Sequence, residues 1–263
     1  MCEWQILCGI VISNAHPAPP NSPLAANSGD LEAEHDDPTD QDQEAVPLSS
    51  AVKRVLLEKR GTMITGTQKP SAATQRFLKN IRACTLCEAH LPLGTRPVLQ
   101  MDPRATILIA GQAPGIKVHA SGIPFQDASG DRLREWMGVD EKIFYDPACV
   151  AILPMGFCYP GTGKSGDLPP RPECAATWRA KLLARLINVK LTLVIGQYAQ
   201  DWHLAKSQKA TLTDTVQAWR EYWPDVLPLP HPSPRNNIWL KRNAWFDRDV
   251  VPRLRRRVRD CVA

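Results

Sequence analysis

The sequence predicts an α/β domain: three α/β/α layers around a central, mostly parallel four-stranded sheet. Two observations carry this. Four short apolar runs, at 106–110, 150–154, 191–195 and 226–230, are widely separated, as parallel strands buried on both faces are. Helical stretches lie between them, and such alternation is the α/β pattern.

Taken in order, residues 1–70 read as a low-complexity or disordered tail. Pro, Asn, Ser, Ala and Asp dominate 14–49, and no apolar periodicity persists there. A short helix fits 51–59, and a start at Met63 would give a chain without the tail. The folded domain is expected over 71–263. It opens with a helix at 73–81 that sets Phe77, Leu78 and Ile81 on one face. Further helices are expected at 129–137, 172–186, 197–204 and 211–222. A last one at 246–259 is bent or restarted by Pro252. No internal repeat is visible.

Composition sets the outer bounds. The 263 residues are 43% apolar and 22% charged, enough for a packed core, and the net charge of +5 is uneven. Acidic residues cluster from Asp30 to Glu44, whereas Arg253, Arg255, Arg256 and Arg257 crowd the other end, so the folded part is the more basic. That balance suits nucleic acid and equally suits a solvated surface. No run approaches the ~18 apolar residues of a membrane span. The apolar patch at 6–12 lacks the basic flank of a secretory signal, so an unexported, cytoplasmic protein is expected. Eight cysteines without an export signal point to metal ligands or buried thiols ahead of disulfides.

Two turns stand out. Gly111-Gln112-Ala113-Pro114-Gly115 leaves the first strand, and His231-Pro232-Ser233-Pro234-Arg235-Asn236 leaves the last. Ligands bind beyond the carboxyl ends of parallel strands, so the two turns are expected to converge on one pocket. The glycines admit close backbone approach and Pro114 fixes the loop, although the bare pattern is also that of a structural strand-to-helix turn. Phe125 and Asp127 follow the first turn on the same side of the sheet. Ser129 is the candidate N-cap of the next helix, and Asp131 reads as a helix-starting residue only.

Cys84-Thr85-Leu86-Cys87 is joined by Cys158 and Cys174, with fifteen residues between the latter two. Four thiolates suit an iron–sulfur cluster or zinc; buried free thiols are the plain alternative, as for Cys2, Cys8, Cys149 and Cys261. The loop from Gly161 to Gly166 suggests a phosphate-binding loop, but Cys158 stands where that motif needs glycine and prolines follow instead of a helix. A nucleoside-triphosphate site is therefore rejected and the loop is read as flexible.

These segments resemble motifs A and B of the uracil-DNA glycosylase superfamily, on a branch near its family-four and family-five iron–sulfur members. The likeness runs over roughly 73–259. It implies a base-excision repair hydrolase that cuts the N-glycosidic bond of uracil in DNA, with other deaminated bases left open, and that works as a monomer on a flipped nucleotide. Asp127-Ala128-Ser129-Gly130-Asp131 matches the Asp-x-Ser-Gly-Asp stretch of family five, whose first Asp is the catalytic carboxylate. The resemblance makes His231 the donor to the leaving base and Phe125 its stacking partner. Gln112 and the Ala113 amide would place water or the base edge. Gly111, Pro114, Gly115, Ser233, Arg235 and Asn236 would complete the substrate contacts, and Lys164, Lys241 and Arg242 would meet the DNA backbone. Trp239 and Trp245 read as packing. Cys84, Cys87, Cys158 and Cys174 correspond to ligands of a [4Fe–4S] cluster, with zinc or no metal still open. Two departures are plain: Gln112 replaces an acidic residue found in many members, and Pro154 replaces the Asn with which family four reads uracil. A non-catalytic DNA-binding protein of this fold and a zinc-structural protein remain the alternatives.

Overall fold

The structure, a computed structural model, describes residues 70–164 and 166–263. The expected tail up to residue 69, the helix at 51–59 and the start at Met63 lie outside the described residues. Helix α1 (Ala72–Arg82) begins at Ser71, whose side chain accepts the Thr74 amide, and it buries Thr74, Leu78 and Ile81. Strand β1 (Ile107–Ala110) is followed by α2 (Ile116–Ser121), α3 (Ala128–Met137), α4 (Glu141–Phe144) and β2 (Val150–Ile152). A small antiparallel ribbon pairs β3 (Thr162–Gly163) with β4 (Gly166–Asp167). One helical run then comprises α5 (Pro172–Cys174), a π-helical stretch at Ala175–Arg179 and α6 (Ala180–Leu183). Strand β5 (Leu191–Ile195), α7 (Gln197–Leu204), α8 (Leu212–Gln217), β6 (Val226–Leu229) and α9 (Asn237–Arg242) follow. A second π stretch, Phe246–Val250, leads directly into α10 (Val251–Val262), with Pro252 at the junction, where the helix changes pitch.

The main sheet is ordered β2-β1-β5-β6 and is parallel throughout. Its side chains alternate between two buried faces. Ile107, Ile109, Leu193 and Leu229 pack with Leu133, Trp136, Phe246 and Leu254 from α3 and the C-terminal helices. Leu108, Ala151 and Leu153 pack with Leu78, Ile81 and Leu182 on the opposite side. Each such aliphatic or aromatic side chain contributes roughly 1.5–3 kcal/mol on burial, which is what holds the three layers together. Pro228 lies in β6, an edge strand, where a missing backbone donor is tolerated.

The chain steps from β1 outward to β2 and later from β5 outward to β6 in the other direction. The crevice at the carboxyl ends of β1 and β5 is therefore the switch point where ligands of such sheets bind. The fold class and the order of the long elements match the sequence reading; three of the four strands are one or two residues shorter than expected and β5 has the expected bounds. The Gly161–Gly166 loop corrects it: this segment is a ribbon, held by the Tyr159 hydroxyl against Thr162 and by the Gln112 amide, which donates to the carbonyls of Asp167 (3.3 Å) and Leu168 (2.9 Å). The helix expected at 211–222 ends at Gln217 and gives way to a 3-10 turn at Trp219–Glu221.

Candidate active site

Beyond the carboxyl ends of the strands lies a cavity of about 600 Å³, within the range of small-ligand sites. Its wall includes Gly111, Gln112, Ala113, Pro114 and Gly115 from the turn after β1, and Phe125 and Asp127 from the approach to α3. His231, Ser233, Arg235 and Asn236 come from the turn after β6. Pro154, just past β2, completes it.

His231 is held by its own turn. The Ser233 amide donates to Nδ1 at 3.2 Å, and the Asn236 side chain donates to the His231 carbonyl at 2.7 Å. Because Nδ1 accepts, the proton of the neutral ring sits on Nε2, which is then a hydrogen-bond donor. Desolvation by burial lowers the His231 pKa from its ordinary value; the Asp127 and Asp167 charges pull it up and Arg235 pushes it down. The ring is thus a neutral donor near pH 7. Ser233 Oγ accepts the Arg235 amide and starts the 3-10 turn, so Ser233 and Asn236 both spend polar atoms on shaping motif B.

Asp127, not Ser129, caps α3. Its backbone is extended, and its Oδ1 accepts the amides of Ser129 (2.9 Å) and Gly130 (3.0 Å). Ser129 supplies a donor and is buried instead. The second carboxylate oxygen of Asp127 accepts no hydrogen bond among the described residues, while the residue lines the cavity. Asp131 is exposed and pairs with Arg134, as a helix-surface residue does.

Phe125 occupies the left-handed region at φ 56°, which is uncommon for a bulky residue. Its surroundings fix it there. A Cβ built on Gly130 would lie 1.7 Å from the Phe125 carbonyl oxygen, so only glycine lets this backbone rest on the start of α3. The Tyr145 hydroxyl donates to that carbonyl at 3.3 Å, and the ring meets Phe144 edge-on at 6.2 Å. The ring tip reaches the backbone of Gly111, 3.9 Å from where a Cβ would stand.

A model described as the Uracil DNA glycosylase superfamily matches residues 99–255. The chain belongs to the uracil DNA glycosylase superfamily. Membership supports DNA as the partner and glycosylase hydrolysis as the reaction class.

Three residues of this superfamily member escaped the sequence reading. Arg132 on α3 donates to the carbonyls of Pro232 (3.2 Å) and Ser233 (3.1 Å) and to Asn237 Oδ1 (2.8 Å), clamping motif B to the helix that Asp127 starts. Asp167 and Lys117 also line the cavity. The Asp167 carboxylate stands 3.4 Å from where a Cβ on Gly115 would be. No local pattern marks any of them, because their partners lie far away in sequence. Gln112 is on the wall as expected, but its amide nitrogen is engaged by the ribbon. Arg235 likewise reaches the ribbon, its Nη1 lying 2.9 Å from a Cβ position on Gly166.

Away from this cavity, Cys84, Cys87, Cys158 and Cys174 line one small pocket with Phe157, Arg171 and Trp178. Among the described residues no group of three or more His, Cys, Asp or Glu is gathered so as to hold a metal ion. Burial pushes Cys174 up to about 12, and raises Cys87 and Cys158 as well. The donors around them fit a thiolate-held group. The Phe157 amide donates to Cys174 Sγ at 3.4 Å, Arg171 adjoins Cys87, and the buried Trp178 Nε1 has no acceptor among the described residues.

Proposed function

We propose that this protein is a DNA glycosylase that releases uracil from a flipped nucleotide, acting as a monomer. The observation that carries the reading is that an imidazole with a fixed Nε2 donor and a helix-capping carboxylate share one cavity at the switch point. The target bond lies inside the base stack, so the nucleotide must first be extruded at a cost of a few kcal/mol. Phe125, already held at the cavity wall, stacks on the base. The C1′–N1 bond breaks with its electron pair leaving on the pyrimidine, which makes a base anion and an oxocarbenium-like sugar. His231 Nε2–H donates to the developing oxyanion without giving up its proton, and such a donor supplies roughly 10²–10³ in rate. Asp127 faces the sugar cation, orients a water toward C1′ and takes the proton that the water releases. Pro154 offers no side-chain donor to the base, so backbone amides of the motif A turn read its edge, and tolerance of other deaminated bases follows.

The four cysteines are the proposed ligands of a [4Fe–4S] cluster, which supplies a structural cross-link between the segment after α1 and the loop before α5. Four cysteines lining one pocket are a thiolate donor set that suits an iron–sulfur cluster, and metal and sulfide analysis separates that from zinc.

A panel of duplex oligonucleotides, each with one altered base, scored for abasic sites, tests the reading. Release of uracil above the undamaged control is expected. Tight binding of the panel with no base release would leave a non-catalytic DNA-binding protein in its place.

A further inference from the structure

Arg179 is the largest side chain fully enclosed among the described residues, at 1% exposure. Its Nη1 donates to the carbonyls of Leu153 (3.0 Å) and Pro154 (3.1 Å), and its Nη2 meets His203 Nε2. The guanidinium lies 5.0 Å from the centre of the Trp202 ring. No Asp or Glu pairs with it among the described residues, and its Nε has no partner there. Carbonyls, a neutral histidine and an indole face soften a buried cation but do not neutralise it, and a buried unpaired charge is strongly destabilising.

The missing negative charge has an evident source. Cys174 lies five residues earlier, and the stretch between them, Ala175–Arg179, is π-helical. The i→i+5 repeat of that helix returns Arg179 to the side that carries Cys174. Burial disfavours the charged form of Arg179, and Cys174 is the one charge that acts in the opposite sense. Cys174 in turn lines the four-cysteine pocket. Four neutral thiols leave the guanidinium unbalanced, whereas four thiolates around a metal centre carry the compensating charge.

We propose that Arg179 is the buried counter-cation of a metal–thiolate centre at Cys84, Cys87, Cys158 and Cys174. It acts as a positioning residue that ties occupancy of that pocket to Pro154 on the wall of the cavity. The proposal rests on the reading of these cysteines as metal ligands and is independent of which base is released. Through one side chain the metal pocket and the base cavity share a support, since Pro154 lines the cavity and its carbonyl is held by the guanidinium.

The test is a coupling measurement on the full chain. Iron, zinc and acid-labile sulfide are quantified in the protein as isolated, and thermal midpoints are recorded before and after removal of the metal with a chelator. The same is done for Arg179→Met and for Arg179→Lys, which keeps the charge. Arg179→Gln, which is neutral and keeps a polar amide, replaces the Met variant if the latter does not fold. Removal of metal is expected to lower the midpoint in the wild type and in Arg179→Lys by similar amounts, and by less than half as much in the neutral variants, because no stranded cation remains. Equal losses in all variants would overturn the proposal while leaving the metal centre standing. A wild-type protein free of iron and zinc would overturn the centre and the proposal together, and would leave the glycosylase reading untouched.

Discussion

His231 and Asp127 each combine a structural and a chemical task, and substitutions can separate the two. Nδ1 of His231 accepts the Ser233 amide, so ¹⁵N NMR at neutral pH should show Nε2 protonated and Nδ1 bare. Burial disfavours the imidazolium, so the ring should titrate below the usual ~6.5. A histidine whose folded pKa is depressed adds stability that is complete above its unfolded value. That stability is lost as pH falls through the folded pKa. The same NMR titration, followed with a thermal melt at each pH, checks both the position and the sign. Asp127→Asn keeps an oxygen for the Ser129 and Gly130 amides and should leave the melt near wild type. Asp127→Ala should in addition lose about 1 kcal/mol of capping stability, as read by denaturant unfolding. Sequence alone could not divide these tasks: Asp127 and Ser129 are both good capping residues, and only the extended backbone at Asp127 decides between them.

The start of α3 works as a unit with the two loops it meets. Gly130 makes room for the left-handed Phe125, and Arg132 grips the turn that carries His231. Gly→Ala inside a helix ordinarily stabilises by up to ~1 kcal/mol. Gly130→Ala should do the opposite, because the new Cβ overlaps the Phe125 carbonyl; a lowered thermal midpoint together with slower base release is the expected outcome. Arg132→Met should slow base release at saturating DNA more than it weakens DNA binding, since it loosens the donor and leaves the cavity mouth intact. Gel-shift and single-turnover assays on the same variant read the two effects apart. Of this unit the sequence showed the Asp-x-Ser-Gly-Asp stretch but not the clamp, since an arginine that binds backbone carbonyls a hundred positions away leaves no local trace. The β3–β4 ribbon was missed for the same reason, as Gln112 holds it from a distant turn.

At the scale of the whole molecule, four apolar runs and the helices between them were enough to reveal a parallel sheet with a crevice at its switch point, because strands buried on both faces write hydrophobicity directly into the chain. The four cysteines were legible by spacing, while Arg179 was not, since nothing local marks an arginine destined for the interior. Among the described residues no helix is long and apolar enough to cross a membrane. Binding to DNA through phosphate contacts should weaken steeply as salt rises, and a fluorescence-anisotropy titration over salt concentration gives the slope. A protein that carries the proposed cluster should be brown and absorb near ~400 nm, whereas a zinc protein is colourless in that range. All of this surrounds one claim, that Asp127 and His231 act together on a base held between them. Single-turnover release of uracil from duplex DNA by the wild type, by Asp127→Asn and by His231→Gln addresses it most directly. Each variant is expected to be slower by about 10²-fold or more while its DNA affinity stays close to wild type. Wild-type rates in either folded variant would contradict the assignment of this cavity as the active site.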